Sequence, residues 1–119
     1  MADAKGFDAN RSQVSEDQLA KFLAEDVRED VTSIPGIGPA AAKTLAKSDE
    51  RDSAVLTTYQ LFGKFLSLRG PGMTTEEHCD AFWQWLALKG INSHRSGIVL
   101  AVAEKLDIAF PGLYRPAER

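Results

Sequence analysis

Apolar residues recur along the chain at helical spacing in separate blocks, and the polar segments between them carry capping and turn residues. The first block follows Ser15-Glu-Asp-Gln18, which has the form of a capping box with acids in the first turn, where the helix dipole favours them. Leu19, Phe22 and Leu23 then share one stripe, which predicts a helix over residues 15 to about 27. Beyond an acid-rich run, residues 31–34 predict a short turn of helix and residues 39–47 a second limb, with Gly36 and Gly38 between them. Ser53 is a candidate N-cap for a helix reaching Leu68, with Val55, Tyr59, Phe62 and Leu66 on one stripe and Leu56 and Phe65 beside it. Gly70-Pro-Gly72 ends that helix. Thr74-Thr-Glu-Glu77 is a second capping box, opening a helix to about Lys89 that buries Cys79, Phe82, Trp85 and Leu86 and stops at Gly90. Trp83 lies about 200° around the axis from Trp85, which places it at the rim or outside and marks it as a candidate partner surface. Asn92 or Ser93 caps a last helix running through residues 98–109, with Val99, Val102, Ala103, Leu106 and Phe110 toward the core.

No strand pattern emerges, so the prediction is an all-α fold, a compact bundle of about five helices. Residues 1–14 are small and polar without an apolar period and read as a mobile N-terminal arm; residues 15–110 form a single helical domain and 111–119 a short tail. Cys79 is the lone cysteine, which excludes an intrachain disulfide and a cysteine zinc site and suits a reducing compartment. There is no apolar run of bilayer length, and the N-terminus lacks the apolar segment of a secretory signal, so a soluble, intracellular protein with no membrane partner is expected. Gly63, inside the third long helix, disfavours helix by about 1 kcal/mol relative to alanine. It marks either simple tolerance or close approach of another helix or a partner.

The candidate chemistry lies in Ile34-Pro-Gly-Ile-Gly-Pro-Ala-Ala-Ala-Lys-Thr-Leu45. Gly36 and Gly38 allow a tight bend and close approach of backbone to a ligand, and Pro39 has the φ of a first helical position. The pattern resembles the helix-hairpin-helix motif of sequence-independent DNA-binding proteins, which implies contact with sugar-phosphate, not base reading. A plain helix-turn-helix corner without a ligand is the alternative. A dinucleotide loop would need a third glycine and a preceding strand. Lys43 and Lys47, four residues apart, share a helix face and could reach one phosphate strand, or be ordinary solvated lysines. Gly90-Ile-Asn-Ser-His-Arg-Ser-Gly97 is a second, poorer candidate, offering His94 and Arg95, with a plain capped helix start as its alternative.

Charge tempers this picture. The net charge is −3, with eight acids against four bases in residues 1–30 and nine acids against ten bases in the rest. Duplex affinity comes largely from basic residues that displace counterions, so each site is expected to bind weakly. Little suggests an enzyme: His78 and Cys79 are adjacent on a helix, point about 100° apart and cannot act as base and nucleophile. Neither His78 nor His94 has metal-ligand partners at a recognisable spacing, the acids of residues 25–30 read as a solvated face, and no metal or cofactor is expected.

The order Thr32-Ser-Ile-Pro-Gly-Ile-Gly38, Leu-Phe-Gly-Lys-Phe-Leu-Ser-Leu within residues 55–68, Asp80-Ala-Phe-Trp-Gln-Trp-Leu86, Gly90-Ile-Asn92 and Asp107-Ile-Ala-Phe110 resembles the barrier-to-autointegration factor family over about residues 16–110. Lys21-Phe-Leu-Ala-Glu25 resembles that family's first helix. The resemblance implies a two-fold homodimer with one hairpin per subunit, bridging two DNA duplexes without sequence preference, in the nucleus and in chromatin organisation. LEM-domain and lamin-like proteins are the partners it implies. Carried over by position, the phosphate-binding backbone is Gly36, Ile37, Gly38, Ala40 and Ala41, followed by Lys43; Gly63 matches a glycine near the dimer and partner surface, and Trp85 the buried tryptophan. Pro39 removes one N–H, Gln18 and His94 stand where the family carries lysines, and Trp83 stands where it carries a charged residue. Arg95 offers compensation for the second lysine. A dimeric adaptor of the same fold with weak or lost DNA binding is the alternative.

Overall fold

Ser15 accepts the N–H of Gln18 at 3.1 Å and opens α1, Glu16–Ala24. A single turn of 3-10 helix at Val31–Ser33 and α2, Pro39–Leu45, flank the glycine bend. Then come α3, Thr58–Ser67, α4, Thr75–Lys89, and α5, Arg95–Ala109. The computed structural model describes residues 6–48 and 52–116. Among these the fold is all-helical, apart from one isolated antiparallel bridge between Asp30 and Thr57.

The hub is α5, which packs against α1, α3, α4 and the turn formed by the N-terminal residues Ala9–Arg11. Ile98, Val99, Ala101, Val102 and Ala103 have no exposed surface, so this helix is apolar on most of its circumference, as a central helix is. Phe65, Phe82, Leu61 and Leu86 complete the core from α3 and α4. Lys105 lies across the end of α1, its Nζ donating to the carbonyls of Phe22 at 2.8 Å and Leu23 at 3.2 Å and also to that of Glu25. An ammonium on the last carbonyls of a helix satisfies otherwise orphaned acceptors, and α1 ends there, earlier than its apolar pattern suggests.

Several other expectations are corrected. The helix expected from an N-cap at Ser53 starts four residues later, because Thr57 and Gln60 form the capping box: Thr57 Oγ1 accepts from the Gln60 N–H at 3.1 Å and Gln60 Oε1 from the Thr57 N–H at 3.2 Å. Its buried positions are Thr58, Leu61, Phe62 and Phe65, while Leu56 and Tyr59 are exposed. The last helix is capped by His94 in the left-handed region rather than by Asn92 or Ser93, and Phe110 is half exposed beyond its end. Trp83 is not an exposed ring: it is 8 % accessible, covered by the Arg95 guanidinium 4.0 Å from the ring centre. Neither end of the chain, as far as it is described, lies loose against the fold. Phe7 packs on the core, and the Asp107 carboxylate gathers the N–H groups of Gly112 and Tyr114, each at 3.0 Å, together with Arg115. Residues 1–5 of the expected arm and 117–119 of the tail lie outside the described residues.

His78 of α4, 1 % exposed, ties that helix to α3 and to the link between the two. A carbonyl oxygen can only accept, so its Nε2 donates to Phe65 O at 2.7 Å; a guanidinium can only donate, so Nδ1, 3.3 Å from Arg69 Nη1, carries the lone pair. Burial pushes the imidazole below its usual 6.5 and Arg69 adds to this, against the opposing Phe65 bond. The unfolded chain therefore binds a proton more readily, so this contribution to stability is complete above about pH 6.5 and is lost as the pH falls below it. Thermal melts between about pH 7.5 and 5.5 should show a falling midpoint in the wild type and a shallower fall in His78→Gln; equal slopes would contradict the assignment.

Candidate functional site

The hairpin is built from both sides of its bend. Asp30 Oδ1 accepts from the N–H of Thr32 at 2.9 Å and from its hydroxyl at 2.8 Å, bonds that hold the carboxyl below its usual range. Thr58 fastens this limb to α3, its N–H donating to Glu29 O at 2.9 Å and its hydroxyl to Asp30 O at 3.1 Å. Ile34 and Ile37, 1 % and 4 % exposed, drive the inner side of the bend into the core. Gly36 has φ +94°, and a Cβ there would stand 2.8 Å from Ile98 Cγ1 and 3.4 Å from His94 Cβ. The bend is thus seated directly on the start of α5. Gly38, at φ −98°, has nothing near its would-be Cβ, and Pro39 begins α2 as its first residue.

The outer side carries free donors. Ala42 N–H makes the first helical bond, to Gly38 O at 3.0 Å, and no acceptor among the described residues meets the N–H groups of Gly36, Gly38, Ala40 or Ala41. Gly38 and Ala40 are exposed; Gly36 and Ala41 are half-buried. Ile37 has to be taken out of that set, because its N–H closes the turn on Ile34 O at 3.1 Å and its side chain is in the core. The donors border an open groove of about 710 Å³ whose far wall is α1 and the segment after it, with Gln18, Lys21, Glu25 and Arg28, and whose end is Ser93 and His94. Ser33 Oγ, buried and without a partner among the described residues, belongs to a residue that lines the groove from the hairpin's first limb. His94 has φ 62°, the one positive φ of a non-glycine residue among those described, so strain is held at this groove as well.

The other sequence candidates fall elsewhere. Lys43 is exposed on α2 but does not line the groove. Lys47 lies past Ala46, the C-cap, so the two lysines are not spaced along one helix; its carbonyl accepts from Lys89 Nζ at 2.7 Å. Arg95 lines a neighbouring concavity, with Nη1 donating to Ile91 O at 2.9 Å. Gly63 is exposed on α3 with no atom of the described residues within 4 Å of a would-be Cβ, so none of them approaches it closely. Lys21 and Arg28 are groove cations that the spacing argument passed over. Lys21 follows Gln18 by three residues, one helical neighbour, and could have been found by counting from the Ser15 cap. Arg28 sits within the acid-rich run and gave no such signal.

Comparison of the chain with protein-family models, with curated proteins and with solved structures gave no match.

The two glycines should separate sharply on substitution. Gly36→Ala places a methyl group against Ile98 in a left-handed conformation and should destabilise the fold by about 1–3 kcal/mol. For Gly38→Ser, which keeps a good N-cap in open space, the change should stay within about 0.5 kcal/mol. Denaturant midpoints measure both; equal losses would contradict the seating of the bend.

Proposed function

We propose that this protein binds double-stranded DNA without sequence preference, through backbone phosphates placed against the hairpin, and that a homodimer bridges two duplexes. The observation that carries this reading is the set of N–H groups at Gly36, Gly38, Ala40 and Ala41 that meet no acceptor among the described residues, on the lip of a groove bordered by Lys21 and Arg28. Rigid backbone donors with nearby cations fit a phosphate-sugar rail and read no base. The order of motifs that resembles the barrier-to-autointegration factor family supports the same role, with chromatin organisation in the nucleus as its setting. We propose no catalysis: Cys79 is buried with its thiol pushed up to about 12, and both ring nitrogens of His78 are engaged.

Groove electrostatics favour modest affinity per subunit, since Glu25 shares the wall with Lys21 and Arg28 and lies 3.9 Å from the latter. Two hairpins in one dimer would raise the overall affinity by effective concentration, without any new contact. A second reading has its own observation. Leu56 and Tyr59 are 60 % and 57 % exposed, the latter on α3 together with Gly63, a surface suited to a dimeric adaptor that has lost useful DNA affinity. LEM-domain or lamin-like proteins are partners proposed from the family resemblance alone.

A gel-shift titration with unrelated duplexes at two salt concentrations tests the first reading. It should give comparable affinities for all sequences, weaker binding at the higher salt, and slow-migrating bridged complexes; no binding at low salt would overturn it in favour of the adaptor. Gly38→Val, whose extended backbone suits a β-branched residue, should bind at least about tenfold more weakly through blocked approach, with the salt slope kept. Lys21→Ala should flatten the plot of log affinity against log salt by about 0.9.

A further inference from the structure

Residues 6–14 form a strap over α4 and α5. The N–H of Phe7 donates to Asp80 Oδ1 at 3.1 Å and the N–H of Asp8 to Ser96 Oγ at 3.1 Å. Asp8 then caps the turn Ala9–Arg11, its Oδ1 accepting from Asn10 N–H at 2.9 Å, and the Arg11 N–H donates to Asp8 O at 2.9 Å. On its way to α1 the strap crosses Gly97. A Cβ there would stand 2.8 Å from Val14 Cγ2 and 3.3 Å from Ser12 Oγ, so a side chain at position 97 would displace Val14. Gly97 lies in the first turn of α5, and the close passage of the strap leaves little room for a side chain there.

The strap ends one side of a second concavity, of about 300 Å³, whose walls include Arg11, Gln13, Trp83 and Arg95. Ser93 and His94 line this concavity and the hairpin groove alike, so the two adjoin across the start of α5. Arg95 is committed to structure, lying 4.0 Å over Trp83 and bonded to Ile91 O. Arg11 is not: its side chain is 59 % exposed, and its ion pair with Asp8, Nε to Oδ2 at 3.5 Å, is long and solvated. Such a pair is weak, and a phosphate can take its place.

We propose that the strap is part of the nucleic-acid surface and that Arg11 makes a phosphate contact of its own, on the far side of His94 from the glycine bend, with the backbone of the same duplex. This rests on the reading of the hairpin groove given above. A guanidinium pairs with a phosphate through two parallel N–H bonds and carries no base information, so the contact adds affinity and salt dependence without sequence preference. The fold supplies a reason for docking these residues instead of leaving them loose: a tethered cation is already in place when the duplex arrives.

The test is a titration of the full chain with random-sequence duplex over a range of salt, for wild type, Arg11→Ala and Arg11→Lys, with melting temperatures alongside. Arg11→Ala should bind about three- to tenfold more weakly, with a salt slope shallower by about 0.9 and an unchanged melting temperature, and Arg11→Lys should keep the slope. Wild-type affinity and slope in Arg11→Ala, with duplex binding intact, would overturn the strap contact and leave the hairpin reading standing. Absence of duplex binding in the wild type would overturn the hairpin reading, and this inference with it.

Discussion

Gly36 touches the start of α5 where no side chain would fit, with Ile98 below it and His94 beside it. The rest of the surface depends on that contact. It fixes the bend to the most deeply buried helix of the molecule, with Ile34 and Ile37 as anchors on the inner side. The donors of Gly36, Gly38, Ala40 and Ala41 are thereby held by packing and need no ligand to arrange them. Donors fixed in advance lose little freedom when an anion arrives, which is how a small surface can bind at all.

Electrostatics set the strength of what that geometry can do. Lys21, Arg28 and Glu25 share one wall, and the chain as a whole is acidic, so the groove offers shape and hydrogen bonding more than a strong positive field. In the proposed role this makes each subunit a weak, salt-sensitive grip. Useful affinity would then come from joining grips, either two hairpins in a dimer or the hairpin and the strap in one subunit. Weak individual contacts would also release singly, which would suit the proposed bridging of duplexes without locking them.

Local chemistry was the most legible part of the sequence. The Ser15 and Thr74 caps, the glycine stop at Gly90 and the proline start of α2 follow from backbone hydrogen bonding within a few residues, and the structure has each of them. What escaped was decided at a distance. Ser53 has the chemistry of a cap, yet Val55 N–H pairs with Leu45 O at 2.8 Å, the segment stays extended, and Thr57 takes the capping role. Trp83 has the phase of an exposed ring, but Arg95, twelve residues on and beyond a turn, folds over it. The end of α1 was settled by Lys105 and the course of the N-terminal residues by Asp80 and Ser96, none of which a local window contains. At the candidate site the same division holds: the glycine bend was legible as a motif, whereas the loss of the Ile37 donor to the turn and the entry of Lys21 and Arg28 required the packing of α1 beside it.

Whether these peptide N–H groups meet a phosphate rail is tested most directly by amide-resolved NMR of the labelled protein titrated with a short duplex. The amide signals of Gly36, Gly38, Ala40 and Ala41 should move first and furthest, while that of Ile37, already bonded to Ile34 O, should move less. Shifts confined to the exposed face of α3 around Tyr59 and Gly63, with the hairpin signals unmoved at saturating duplex, would contradict it.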